Sequence, residues 1–234
     1  MIKKILLLIV VFIQFTACAQ FKQVINQLSN VGLTNEQIGN GLKEALNNGI
    51  TNQVTKLALK DGFYKNDLVK ILLPEELLKV DKTLRSIGLS NLADEGLKVL
   101  NSAAEDAVGE AIPIFSAAIK EMTFTDAKNI LVGDKNAATV YLQKTTSDKM
   151  YQKFNPIIKN SFQKVGADKI WANLISKYNS IPFTSDVNPN LTDYVANEAL
   201  KGVFKMVAVE ELEIRSKVSK RSSDLLRRVF ALQD

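Results

Sequence analysis

The 234-residue chain has no histidine, a single cysteine, a single tryptophan and only five prolines. Without histidine, Ser-His-Asp and Cys-His arrangements, His-containing zinc sites and the Glu-x-x-His di-iron pattern of helical bundles are excluded. A single cysteine cannot close a disulfide within the chain, and Cys18 lies ahead of the segment read below as the folded domain. Any catalysis is left to carboxylates, lysine, tyrosine and hydroxyls. Charge of one sign is not abundant either: 30 basic against 25 acidic residues give a net +5, without a long run of either sign. That balance gives little support to a nucleic-acid partner.

The first twenty residues have three zones: a basic start at Lys3 and Lys4, an unbroken apolar run from Ile5 to Ile13, and small residues at Ala17 to Ala19. This is the layout of a secretory signal. The apolar run falls far short of the roughly 20 residues that a helix needs to cross a bilayer core. It therefore reads as a cleaved leader, not a permanent span. Phe15-Thr16-Ala17-Cys18 resembles the bacterial lipoprotein box, with Phe15 where the box usually has Leu. That resemblance implies cleavage before Cys18, lipid on its sulfur, and residues 18–33 as a tether to the membrane. Ala19 lacks the retention aspartate, so the outer membrane, facing the periplasm, is the expected destination. The alternative takes Ala17-Cys18-Ala19 as an A-x-A cleavage site, which releases a soluble periplasmic protein beginning at Gln20.

From residue 34 onward the pattern is helical. Thr34-Asn35-Glu36-Gln37 is a capping box. After it, Ile38, Leu42, Ala45, Leu46, Ile50, Val54 and Leu57 recur at helical spacing up to a turn at Asp61-Gly62. Phe63 to Leu73 reads as a loop that enters the core. Pro74 opens a helix closed by Gly88. From Leu97 to Met122 the apolar positions keep a three-and-four spacing, with a break expected near Gly109 ahead of Pro113. Ala103, Ala104, Ala107 and Ala111 are small enough for a second helix to approach closely. Thr125 is the expected cap of a short helix ending at Gly133, and Asp134 of the next. Ala138 stands where an EF-hand requires an oxygen ligand, which argues against a calcium loop there. Ser147 is expected to start a further helix, divided at Asn155-Pro156. Ile170 to Tyr178 line another, followed by a loop through Ile181-Pro182-Phe183 and Asn188-Pro189. Thr192 then caps an apolar helix to about residue 215, read as the buried centre, and a basic helix from Ser223 to Leu232 ends the chain. No segment alternates with period two. The expectation is one all-α domain, residues 34–234, of about eight to ten helices.

The blocks Gly41-Leu42-Lys43-Glu44-Ala45-Leu46, Asp61-Gly62-Phe63-Tyr64-Lys65-Asn66, Ala103-Ala104-Glu105-Asp106-Ala107, Met122-Thr123-Phe124, Ile181-Pro182-Phe183 and Asp224-Leu225-Leu226-Arg227-Arg228-Val229-Phe230 stand in this order between Leu33 and Leu232. In them the chain resembles a bacterial envelope family known as domain of unknown function 4197. The resemblance implies fold and location, and carries no catalytic residue and no cofactor.

Glu210 shares the inward face of Val203, Met206 and Val207. A buried carboxylate needs a cation or a proton, and Lys144, Arg215 and Arg221 are the candidate partners. Glu105 and Asp106 form a second acidic position, although adjacent helical residues point about 100° apart. Lys144 to Asp148 is rich in hydroxyls and would suit an anion at a helix N-terminus, or simply a cap. Arg215, Lys217, Lys220, Arg221, Arg227 and Arg228 make the C-terminal segment basic, facing anionic lipid or only water. Together these features point to a non-enzymatic envelope domain that binds a partner protein or an apolar ligand between its helices. The alternative is a hydrolase or lyase using Glu210 or Glu105 with a lysine or tyrosine.

Overall fold

The computed structural model describes residues 33–86, 88, 90–169, 176 and 190–231. The leader, Cys18, the helix expected over 170–178 and the loop after it lie outside the described residues. Those described form eight α-helices and one 3-10 turn, without a strand. In chain order these are α1 (Asn35–Leu57), α2 (Glu75–Ser86), α3 (Ser90–Val108), α4 (Ala111–Glu121), α5 (Phe124–Val132), α6 (Ala137–Val165), α7 (Leu191–Ser216), the 3-10 turn Val218–Lys220 and α8 (Asp224–Phe230). The chain is a single all-α domain, as its periodicity implies.

Helix α7 is the centre. It packs on α6, α1 and α3, and α6 in turn rests on α3, α4 and α5. Helix α1 closes the other side against α4, α5 and α8, while α2 leans on α3. Every apolar residue assigned to the inward face of α1 is buried. The expected capping box is present: the Thr34 hydroxyl accepts from the Gln37 N–H, and the Gln37 side chain accepts from the Thr34 N–H. Gly49 on that face touches α7 so closely that a Cβ would stand 2.7 Å from Glu210 Cγ. The four alanines at 103, 104, 107 and 111 are at most 2% exposed, so the close approach expected of them occurs. Phe115 of α4 meets Phe204 of α7 edge to face, with ring centres 5.8 Å apart.

Breaks fall partly where expected. The 97–122 pattern divides between Val108 and Ala111, and the two halves take different neighbours: α3 lies on α6 and α7, α4 on α1 and α6. Several boundaries differ from expectation, among them the cap position of α6, which is Asn136 and not Asp134. The cap of α5 is Thr123, in a capping box with Asp126, and not Thr125. The cap of α7 is Asn190, whose side chain accepts from the Asp193 N–H, and not Thr192. Pro74 precedes the first residue of α2. Helix α6 runs unbroken for 29 residues through both Ser147 and Pro156. Thr145, Thr146 and Ser147 do not cap anything; they donate back to the carbonyls of Tyr141, Leu142 and Gln143. Met150, Phe154, Ile158 and Phe162 are buried on a strict four-residue spacing, and that packing carries the helix past a proline which sits on the exposed side.

The segment 58–73 enters the core without regular structure, as expected. Phe63, Val69 and Ile71 are buried, whereas Leu59, Leu68 and Leu72 remain 60%, 49% and 60% exposed. Asp61 takes a left-handed conformation, φ 65°, and a Cβ on Gly62 would stand 2.4 Å from the Lys56 carbonyl oxygen, so only glycine fits there. Phe63 lies against Gly202 of α7. Phe63→Ala is expected to lower unfolding free energy by about 3 to 5 kcal/mol in urea denaturation, and Leu68→Ala by less than about 1 kcal/mol. Equal losses would show that the loop is not part of the core.

Candidate functional site

The buried charges are concentrated at the C-terminal part of α7 and just beyond it, where Glu210, Glu211, Arg215 and, after the 3-10 turn, Arg221 are all at most 8% exposed. Successive residues of a helix diverge by about 100°, so Glu210 and Glu211 leave α7 toward different neighbours. Glu210 points at α1, where Gln53 Nε2 donates to its Oε2. Of the cations proposed for it, Lys144 is exposed on α6, Arg215 pairs with Glu211, and Arg221 serves the backbone. The Glu210 carboxyl is thus held by an amide across a helix interface, in place of the cation partners Lys144, Arg215 and Arg221 considered from the sequence.

Glu211 carries the denser arrangement. Its Oε1 accepts from the Ala138 N–H at 2.9 Å and from Arg215 Nη2 at 2.9 Å. Its Oε2 accepts from the Thr139 N–H at 2.9 Å and the Thr139 hydroxyl at 2.8 Å. Ala138 and Thr139 are in the first turn of α6, whose own N-cap residue Asn136 makes no side-chain cap bond. Glu211 therefore does the work expected of Asp134, from a different helix. Arg215, one turn later, donates to the carbonyls of Ile130 at 2.8 Å and Leu131 at 3.4 Å, in the last turn of α5. A carboxylate meets a helix N-terminus and a guanidinium meets a helix C-terminus, each matching the sign of the local dipole and filling orphan backbone groups. Arg221, 1% exposed, repeats this at the end of α7 itself by donating to the carbonyls of Ile214 and Arg215. Its guanidinium lies 5.8 Å from the centre of the Phe230 ring.

Glu105 lies apart from this group, on α3. It accepts from the backbone N–H groups of Asp61, Phe63 and Tyr64 at 3.0 to 3.3 Å. One turn earlier, Asn101 grips both polar groups of Ile71, accepting from its N–H and donating to its carbonyl. Tyr194 of α7 donates to the Leu72 carbonyl. A buried loop lacks ladder partners for its backbone, and these side chains supply them. Asp106 points away from Glu105 and accepts from Ser161 on α6. Phe63 is core, and Tyr64 is half-buried with the Lys70 ammonium 4.4 Å above its ring.

Two of the six C-terminal basic residues, Arg215 and Arg221, are buried, which shrinks the basic patch read there. Lys217 and Lys220 both bind Glu213 and hold its carboxyl down at about 2. Arg227 pairs with Asp224. The Lys144 to Asp148 stretch is mid-helix, so it has no helix N-terminus to offer an anion. On the surface, Tyr151 donates to Asp193, which raises the phenol above its ordinary range.

An open depression of about 390 Å³ lies at the α5–α6 turn, lined by Asp126, Asn129, Asp134 and Tyr141 among others. A second, of about 410 Å³, lies between α3 and α6 beside Asp106, Ser161 and Val165. Neither is lined by Glu105 or Glu210. Among the described residues no three acidic side chains gather to hold a metal. Sequence reasoning missed Glu211, Gln53, Asn101 and Thr139. Only Glu211 had a signal, its four-residue offset from Arg215.

The geometry defines a class first: an all-helical domain whose buried charges, Glu210 apart, serve helix ends and a loop. The family model for a protein of unknown function, DUF4197, matches residues 32–231, and the chain belongs to that family. No curated protein and no solved structure matches it.

Glu211→Ala is expected to cost about 3 to 5 kcal/mol in chemical denaturation, because it strands the Arg215 charge in the interior. The double variant Glu211→Ala, Arg215→Met should cost clearly less than the sum of the two single changes. Strict additivity would mean that the two residues do not act as one unit.

Proposed function

We propose that this protein is an exported, lipid-anchored helical domain of the cell envelope that binds a partner through a rigid surface and performs no reaction of its own. The observation that carries the binding half is the loop 58–73. Glu105, Asn101 and Tyr194 clamp its backbone while Leu59, Leu68 and Leu72 stand out into solvent. A loop fixed before binding loses little entropy on association, and exposed leucines gain by being covered. The same clamp speaks against the carboxylate enzyme, since Glu105 is committed to three backbone donors.

The envelope half rests on the leader and on Phe15-Thr16-Ala17-Cys18. A thioether-linked lipid with further acylation attaches a protein stably, at about 0.8 kcal/mol per buried methylene. Cells fed a labelled fatty acid should label the wild-type chain and not Cys18→Ala. Absence of label from both removes the anchor and leaves the soluble periplasmic form. For the binding half, a photo-cross-linking residue placed at Leu72 in intact cells is expected to give discrete adducts that the same residue at exposed Lys205 does not. Identical patterns at the two positions would count against the loop.

A further inference from the structure

Helix α6 carries Lys144, Lys149, Lys153, Lys159 and Lys164 against the single acid Asp148, a net of +4. Residues 18–234 hold 28 basic and 25 acidic side chains, Lys3 and Lys4 lying in the leader, a net of +3. Formal positive charge gathers at two places, α6 and the segment 215–228, where six basic residues stand against Asp224. All five lysines are exposed. None of them makes an ion pair or a hydrogen bond among the described residues, whereas Lys217, Lys220 and Arg227 of the C-terminal segment are all neutralised by carboxylates.

At 100° per residue, Lys149, Lys153 and Lys164 fall within about 60° of one another, and Lys159 lies about 80° to one side. The four share less than half the circumference and extend about 22 Å along the axis. Three of the nearby acids stand at the edges of this face or are bound, while Glu95 lines the depression beside Val165 and Asp168 follows Lys164 by four residues. Asp148 lies just beyond Lys159 around the helix, Asp106 is bound to Ser161, and Asp193 is bound to Tyr151. Pro156 and Asn160, both exposed, fill the space between the lysines and add no charge.

We infer that this face of α6 is a docking surface for anionic lipid headgroups. Long ammonium side chains without a carboxylate partner suit a diffuse layer of phosphates, and an array about 22 Å long matches a membrane better than it matches a compact anion. The inference stands on the α6 surface and is independent of the chemistry at Cys18. If the anchor also holds, the two contacts together orient the domain, with α6 lying on the bilayer.

The test uses the chain from residue 18 to 234 carrying Cys18→Ala, which keeps every described residue and has no acyl group, so that failure of the anchor and failure of the face are separable. Sedimentation is measured with vesicles of phosphatidylcholine alone and of phosphatidylcholine mixed with phosphatidylglycerol. Binding is expected only to the mixed vesicles, and only at low salt. Each lysine that reaches the surface contributes roughly fivefold to partitioning, so Lys149→Gln, Lys153→Gln, Lys159→Gln and Lys164→Gln together should weaken it by about 100-fold to 600-fold, for three or four lysines in contact. Lys56→Gln, Lys60→Gln, Lys82→Gln and Lys120→Gln, which change net charge equally elsewhere on the surface, should alter it by less than about threefold. Circular dichroism checks that both variants are folded, and Lys149→Gln with Lys153→Gln serves as the milder form of the first. No binding to the mixed vesicles, equal binding to both vesicle types, or equal loss in the two quadruple variants would overturn the inference. So would retention by a soluble polyanion without vesicle binding.

Discussion

Two helix ends meet beside the C-terminal part of α7, and the Glu211–Arg215 pair joins them. The first turn of α6 presents N–H groups that its own cap residue leaves unsatisfied, and the last turn of α5 presents carbonyls. Left unmet in a buried site, such groups are expensive. One side chain of each sign, a turn apart on the central helix, satisfies both, and the two charges neutralise one another at 2.9 Å. The α5–α6 turn is thereby locked to α7 by hydrogen bonds as well as by apolar contact. The rest of the packing follows from that registration: α6 lies along α7, and α1 closes against the opposite side with Gly49 beneath Glu210.

The same solution recurs at each irregular point of the fold. Arg221 completes the end of α7, and Glu105 with Asn101 completes the loop 58–73. Apart from the Gln53–Glu210 pair, the charged and amide side chains buried in this domain are acceptors and donors for backbone that has no helical partner. A carboxylate used in this way has its lone pairs directed at fixed N–H groups and is not free to accept a proton from a substrate. This is the physical ground for reading the domain as a rigid presenter of surfaces. What it presents is of two kinds: leucines on a clamped loop and unpaired lysines on its longest helix.

Much of the helical layout was legible. The inward faces of α1 and α7, the capping box at Thr34, the break near Gly109 and the burial of the alanine stripe are all local matters, set by residues three or four apart. The misplaced boundaries were cases in which two local signals competed. At Thr123 and Thr125 either hydroxyl serves as a cap, and Asp126 decides in favour of the first by completing the reciprocal pair. At Ser147 and Pro156 the local signals favour interruption, but four buried side chains on the inner face of α6 outweigh them.

The polar site was legible only in its membership. Sequence alone placed Glu210 on the inward face of its helix, named Arg215 and Arg221 among its candidate partners, and marked Glu105 as a second acidic position. Tertiary structure decided what each one meets, because the partners are far away along the chain: Glu211 binds N–H groups 72 and 73 residues distant, Arg215 a carbonyl 85 residues distant, and Gln53 reaches Glu210 across 157. Helical periodicity is written into neighbouring residues and survives without the fold. The pairing of a buried charge depends on which helix ends are brought together, and close packing around α7 alone determines that.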